Sequence, residues 1–186
     1  MTPSRMFADK STIRGELLAR RNALSPDHVT TLSQAIVENL KTFLRDRAYQ
    51  TVLVYFPINN EVDTRLLFDF FWKQKKDLFL PVMKENRLYP APFYPNQPLV
   101  EGPFHTKQPA SSPEETRSID LVLVPCVACD RQKYRLGYGK GFYDRTLQPN
   151  QFKIGLCYDF LLLDVLPTEP HDVGLDAVIT DDSTLL

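Results

Sequence analysis

The residues best suited to chemistry are concentrated in Arg135-Leu136-Gly137-Tyr138-Gly139-Lys140-Gly141-Phe142-Tyr143-Asp144-Arg145. Three of the chain's seven glycines alternate there with Tyr138 and Lys140, and a carboxylate follows. Glycine at every second position removes Cβ atoms that would hold a ligand off the backbone. It also permits positive φ, so successive N–H groups can converge on one anion. Residues Phe142 to Leu147 can form a helix, which would bring a phosphate to N–H groups that lack intrahelical partners. Arg135 and Lys140 supply mobile positive charge, and Asp144 is suited to a hard divalent cation beside phosphates. The chemistry this suggests is phosphoryl transfer, in which positioning and charge stabilisation carry most of the catalysis. The pattern is not a Walker A loop, since no Ser or Thr follows Lys140. It is not Gly-x-Gly-x-x-Gly either, since position 142 is Phe.

Other candidates are individually weaker. Lys10 and Arg14 are four apart on an expected helix and project side by side, either as a solvated basic face or as an anion clamp. Glu61 follows a strand in a loop of neutral residues. There it reads as a solvated glutamate or as an acceptor for the N–H groups of a heterocycle. Cys126-x-x-Cys129 lacks a second Cys or His pair at ligand spacing, so the two read as small core hydrophobes. His171 reads as a surface residue. Asp176 precedes a short strand, as a plain cap or as a partner to Asp144 on Mg2+, with Asp172 the alternative partner. No spacing suggests a Ser–His–Asp or Cys–His nucleophile.

The elements that must position these residues are read from periodicity. Residues 9–24 form a helix capped by Asp9, with Ile13, Leu17, Leu18 and Leu24 on its stripe and Arg14, Arg20 and Arg21 off it. Ser25 caps a second helix with Pro26 at its first position. Thr51–Phe56 is a buried strand. Asp63 caps a helix from Thr64 to about Lys76, with Leu66, Leu67, Phe70 and Phe71 inward. Leu78–Val82 is a strand, and Arg87–Phe93, interrupted by prolines, an edge strand. Residues 94–118 read as a proline-rich crossing loop near the site. Ile119–Pro125, Phe152–Cys157 and Ala177–Thr180 complete the strands. The class is α/β, with helices on both faces of a mostly parallel sheet. Ligands in such sheets bind at the carboxyl ends of strands, so residues 56–61, the segment after Val124 and residues 158–176 should share one crevice.

At 186 residues one domain spanning 1–186 is expected, and 43% hydrophobic content supplies its core. A net charge of −1 argues against broad nucleic-acid or membrane-surface binding. Five cations against two carboxylates between residues 130 and 145 suit a small polyanion better than a polymer. No apolar run approaches the roughly 20 residues of a membrane span. The first ten residues have no apolar signal core, and three cysteines give no disulfide framework, so a cytoplasmic location is expected.

The stretch Arg135 to Arg145 closely resembles the signature of the 5-formyltetrahydrofolate cyclo-ligase family, also called 5,10-methenyltetrahydrofolate synthetases. The resemblance extends over nearly the whole chain: Lys10-x-x-x-Arg14, the strand and loop ending in Glu61, Ile119–Pro125, and Glu169-Pro170-His171-Asp172 leading to Asp176 follow the family's order. It implies a three-layer α/β/α sandwich related to sugar-phosphate isomerase and CoA-transferase folds. It also implies ATP-dependent ring closure of 5-formyltetrahydrofolate, with Mg2+ as cofactor and ATP as co-substrate. Carried over by position, Lys10, Arg14 and Arg135 to Tyr143 (including Leu136, Gly137 and Gly139) would bind ATP. Arg135, Lys140 and Tyr143 would be catalytic. Phe56, Glu61, Tyr138, Lys140, Phe142 and Tyr143 would contact the folate, and Asp144 and Asp176 would hold the metal. The expected partners are these small molecules alone, with no nucleic acid or membrane, and the expected state is a monomer. Two positions depart from the family pattern: Cys129 stands where an aromatic is frequent, and Lys133 where glycine is. The alternatives are a binding protein without turnover and a phosphosugar isomerase-like enzyme.

Overall fold

The structure, a computed structural model, describes residues 9–114 and 117–186. Residues 1–8, most of the stretch expected to lack a signal core, and residues 115–116 of the proline-rich segment lie outside it. The strands in chain order are β1 (Thr51–Leu53), β2 (Asp77–Lys84), β3 (Arg87–Pro92), β4 (Leu99–Glu101), β5 (Lys107–Pro109) and β6 (Leu121–Pro125). They continue with β7 (Ala128–Asp130), β8 (Arg135–Leu136), β9 (Phe152–Leu156), β10 (Leu162–Leu163), β11 (Ala177–Ile179) and β12 (Thr184–Leu185). Seven make one sheet in the order β12-β11-β9-β6-β1-β2-β3. The pairs from β11 through β9, β6 and β1 to β2 are parallel, and the two edges, β12 and β3, are antiparallel.

β6 takes the middle place because Leu121, Val122, Leu123 and Val124 are buried on both faces, as a central parallel strand requires. From β1 the chain moves outward to β2 on one side, and from β6 it moves outward to β9 on the other. The strand order therefore reverses between β1 and β6, where open α/β sheets leave a crevice at their carboxyl ends. β3 lies at the edge, as its prolines predict. β1 is shorter than the expected run to Phe56, although Val54 N–H still donates to Phe79 O at 2.9 Å.

Helix α1 (Lys10–Asn22) begins at Asp9, whose side chain accepts Thr12 N–H. Helix α2 (Pro26–Leu44) begins at Ser25, whose hydroxyl accepts His28 N–H, and it buries Ile36, Val37, Leu40 and Leu44. The buried residues of α1 are Leu17 and Arg21, so Arg21 belongs to the buried stripe and not to the solvated face expected for it. It lies four residues after Leu17, on the same face.

The expected helix from Thr64 to Lys76 is instead a 3-10 turn, Thr64–Leu67, followed by α3 (Phe68–Lys73). Thr64 Oγ1 donates to Tyr55 O at 2.6 Å, and Asp63 accepts Arg65 N–H, which tightens the entry. The tighter winding turns Leu66 outward, 39% exposed, where an inward position was expected. Helix α4 (Phe142–Thr146) is little more than one turn.

The segment 94–118 is not structureless. β4 and β5 pair as a small antiparallel hairpin around Phe104 and His105, both at left-handed φ. A third sheet, in the order β10-β7-β8, was also not anticipated. Its turn is built by Asp130, fully buried, whose carboxylate accepts the N–H groups of Gln132, Tyr134 and Leu166 at 2.8–3.0 Å. Lys133 sits in that turn at φ 66°, the left-handed region that explains why glycine suits the position. β8 then launches the glycine loop.

Candidate active site

A cleft of about 1040 Å3 opens at the carboxyl ends of β1 and β6. It gathers Lys10 and Arg14 of α1, Phe56 and Glu61 after β1, and all eleven residues from Arg135 to Arg145. Glu169, His171 and Asp172 reach it from the segment before β11.

One end is a basic loop. Gly139 and Gly141 have φ of +85° and +65°, so both need the conformational freedom of glycine. Gly137 does not share that need, having no positive φ and open space where a Cβ would stand. Arg14 Nε donates to Gly137 O at 2.7 Å, clasping α1 to the loop. A Cβ on Gly139 would lie 3.2 Å from the Arg14 guanidinium carbon. Arg145 braces the other side: its guanidinium donates to Lys140 O at 2.9 Å and to Asn86 O, in the β2–β3 turn, at 3.2 Å. Lys140 is exposed, and its amino group has no hydrogen bond or ion pair among the described residues. Because α4 is so short, its dipole is weak, and the positive charge of the loop comes from side chains.

The other end is built around a buried carboxylate among aromatic side chains. Glu61 is 5% exposed, and one carboxylate oxygen accepts Ile58 N–H at 2.9 Å. Burial pushes its pKa up to about 7, against the opposing pull of the Arg21 charge, the Ile58 N–H and the Tyr138 hydroxyl. Tyr138 is raised to about 12, chiefly by burial and then by the charge of Glu61. Tyr143 is pushed higher by the same two causes, so its phenol stays protonated and acts as a donor or packing surface, not as a base. Phe56 completes this end. Along the open wall, Phe104 at the hairpin tip meets Phe142 at 6.1 Å between ring centroids.

Arg21, buried behind the cleft with its guanidinium bonded to Asn59 O, Cys126 O and the Tyr138 hydroxyl, is a residue of the site's support that the sequence did not single out. The signal was available: a charged residue in register with Leu17, on a helix whose other buried position is apolar.

The carboxylates divide differently from expectation. Asp144 lies in the cleft, where one oxygen accepts Arg135 Nη2 at 2.7 Å and Val173 N–H at 3.2 Å. Its second oxygen has no partner among the described residues. Asp176 is not brought to it. Asp176 immediately precedes β11 and is level with Lys153 at the start of β9, so it lies at the amino ends of the parallel strands. Its carboxylate is taken by Lys153 N–H at 2.7 Å and Lys153 Nζ at 3.0 Å. Asp172, by contrast, lines the cleft and pairs with Lys10 Nζ at 2.5 Å. Burial raises its pKa, but the Lys10 hydrogen bond and the Glu169 N–H outweigh that and hold it below the usual carboxylate range. Ligand atoms of Glu169, His171 and Asp172 lie within 4.8 Å of one another, a spacing that could admit a cation.

Cys126 and Cys129 are buried, and Cys126 Sγ donates to Val124 O at 3.3 Å. The Cys129 thiol is pushed up by hydrogen bonding to Cys126 and Cys157 and by burial, which makes it a poor nucleophile. Among the described residues no helix is long and apolar enough to cross a membrane.

A switch-point cleft with a basic glycine loop at one end and a buried carboxylate at the other defines an α/β protein with a ligand-sized crevice at the carboxyl ends of its strands. The profile of the 5-formyltetrahydrofolate cyclo-ligase family matches residues 6–181, and the chain belongs to that family. It is 34% identical over 179 residues to the 5-formyltetrahydrofolate cyclo-ligase of Mycoplasma pneumoniae, covering 94% of this chain and 99% of that one. With the cyclo-ligase of Escherichia coli K12 it shares 31% over 171 residues, 87% of this chain and 94% of the relative. The solution structure of 5,10-methenyltetrahydrofolate synthetase from Aquifex aeolicus superposes with a TM-score of 0.83 at 31% identity, covering 95% of this chain and 91% of that chain.

Proposed function

We propose that this protein converts 5-formyltetrahydrofolate to 5,10-methenyltetrahydrofolate while ATP becomes ADP and phosphate. The observation that carries the reading is the division of one cleft into a basic glycine loop and a buried carboxylate pocket, in a chain of this family. ATP lies along the loop, with Lys10, Arg14 and Lys140 neutralising the triphosphate. The pterin lies over Glu61, whose ionised form accepts its N–H groups, between Phe56, Tyr138, Phe142 and Tyr143.

In the reaction the formyl oxygen attacks the γ-phosphorus and ADP leaves. N10 then attacks the activated carbon and releases its proton to water. Electron push from nitrogen expels phosphate, carrying the former formyl oxygen, and leaves the N5–CH=N10 cation. A formamide oxygen is a poor leaving group, and phosphorylation makes it a good one. Arg135 and Lys140 stabilise charge on the transferred group, and Tyr143 packs and orients the folate with its phenol protonated.

The donor set fits Mg2+. Asp144 has an oxygen without a partner, and Asp172 lines the same cleft, so these two carboxylates would hold the ion with phosphate and water. The ion would supply charge neutralisation for the phosphates. The unit acts as one domain over residues 1–186, as a cytoplasmic monomer with small-molecule partners and no nucleic acid or membrane.

The test is absorbance of the methenyl-folate band with 5-formyltetrahydrofolate, ATP and Mg2+, each omitted in turn. A signal that needs all three supports the reading. Ligand binding without phosphate release would make this a binding protein, and turnover of a phosphosugar without ATP would make it an isomerase.

A further inference from the structure

Arg21 has no part in the reaction just described, yet it is among the most buried side chains of the protein, 1% exposed. Its Nε donates to Asn59 O at 3.0 Å, its Nη1 to Cys126 O at 3.0 Å, and its Nη2 to the Tyr138 hydroxyl. Its guanidinium carbon also stands 5.5 Å from the Tyr138 ring centroid. In return, Asn60 Nδ2 donates to Arg21 O at 3.3 Å and Leu24 O at 3.2 Å, tying the loop before Glu61 to the end of α1. Three segments thus meet on one side chain: the loop after β1, the end of β6 and the glycine loop.

A guanidinium withdrawn from water is costly unless its charge is answered. Its three acceptors are neutral, and among the described residues it has no carboxylate at ion-pair distance. The titratable groups coupled to Glu61 through their charge are Arg21 from α1, Tyr55 just after β1, Tyr138 and Tyr143 from the glycine segment, and Tyr158 just after β9. The four tyrosines are neutral near pH 7, all with raised pKa values, so Arg21 is the cation that answers Glu61. If packing were the need, a leucine four residues after Leu17 would serve the stripe without the cost of burying a charge.

We propose that Arg21 is a positioning residue that couples the two ends of the cleft, fixing Tyr138 of the glycine loop and the loop that carries Glu61 in one hydrogen-bonded unit. The inference rests on the reaction proposed above and adds that the folate pocket is fully formed only when the glycine loop is in place.

The experiment is the pH profile of kcat/KM for 5-formyltetrahydrofolate, with separate KM values for folate and ATP, in wild type, Arg21→Met, Arg21→Lys and Tyr138→Phe. Wild type is the control on the reaction itself: no methenyl-folate from it overturns the function, independently of Arg21. Arg21→Met removes the charge that lowers the Glu61 pKa, so the acid limb should move to higher pH by about one pH unit or more. Folate KM should rise roughly tenfold to a hundredfold. Arg21→Lys keeps a charge but not the three-way fork, so its limb should stay near that of wild type while both KM values rise. A folded, active Arg21→Met with the wild-type limb and KM values overturns the proposal. If Arg21→Met does not fold, unchanged folate and ATP KM values in both Arg21→Lys and Tyr138→Phe overturn it instead. A purely structural role would lower the melting temperature without moving the limb.

Discussion

Arg135 and Asp144 form an ion pair at 2.7 Å across the glycine loop, with the arginine side chain 5% exposed. One oxygen of Asp144 therefore orders Arg135, and the other, without a partner among the described residues, is the one proposed above to meet Mg2+. Asp144→Asn should raise the Mg2+ concentration for half-maximal rate at least about tenfold and lower kcat, because the amide ligates Mg2+ poorly and weakens the hold on Arg135. Titration of the initial rate with Mg2+ measures it; an unchanged requirement would remove Asp144 from the metal site.

Lys140 is the contrasting case, exposed and without a partner among the described residues. Lys140→Ala should leave the thermal midpoint within experimental error of wild type while lowering kcat by roughly a hundredfold or more. Paired melting and turnover measurements decide it, and a normal rate would exclude this lysine from phosphoryl transfer.

Glu61 makes folding stability depend on pH with a definite sign. Its folded pKa of about 7 lies above the ordinary 4.5, so the folded state binds the proton more tightly than the unfolded chain does. Its contribution is most favourable below pH 4.5 and is lost as pH rises toward 7. Glu61→Gln should remove that fall, and so melt higher than wild type at pH 8, while losing folate affinity. Denaturant unfolding at pH 6 and 8 checks the sign: a variant less stable than wild type at pH 8 contradicts it.

The Cys126 and Cys129 thiols face the core and Gly155, where an added Cβ would meet their sulfurs at 3.1 and 3.3 Å. Cys126→Ala with Cys129→Ala should cost about 1–3 kcal/mol of stability by leaving small voids, with kcat changed less than about threefold. Loss of turnover in the folded double variant would give the thiols a chemical role.

What the sequence disclosed follows from where single residues decide local structure. The caps at Asp9, Ser25 and Asp63, the doubly buried run of β6, and the glycine alternation each act within a few residues of themselves. So does the proline punctuation that places β3 at an edge. The β7–β8–β10 sheet was hidden because its strands are two or three residues long and its turn depends on Asp130 reaching Leu166 N–H, 36 positions away. Asp176 misled for a related reason: it is close in sequence to Asp172, but the chain runs from the cleft to the far end of the sheet within those few residues. Arg21 was misassigned because charge ordinarily marks a solvated face, and only the tertiary fold supplies its acceptors.

The brace made by Arg145 has a consequence for altering this protein. Since that one side chain holds both Lys140 O and Asn86 O, the glycine loop is mechanically joined to a hairpin turn more than fifty positions earlier in the chain. The turn, with Glu85 and Asn86 both at left-handed φ, stands outside the proposed chemistry. Residue changes there would shift the glycine loop through the brace without altering a residue that lines the cleft, which makes the turn a remote handle on the loop's position.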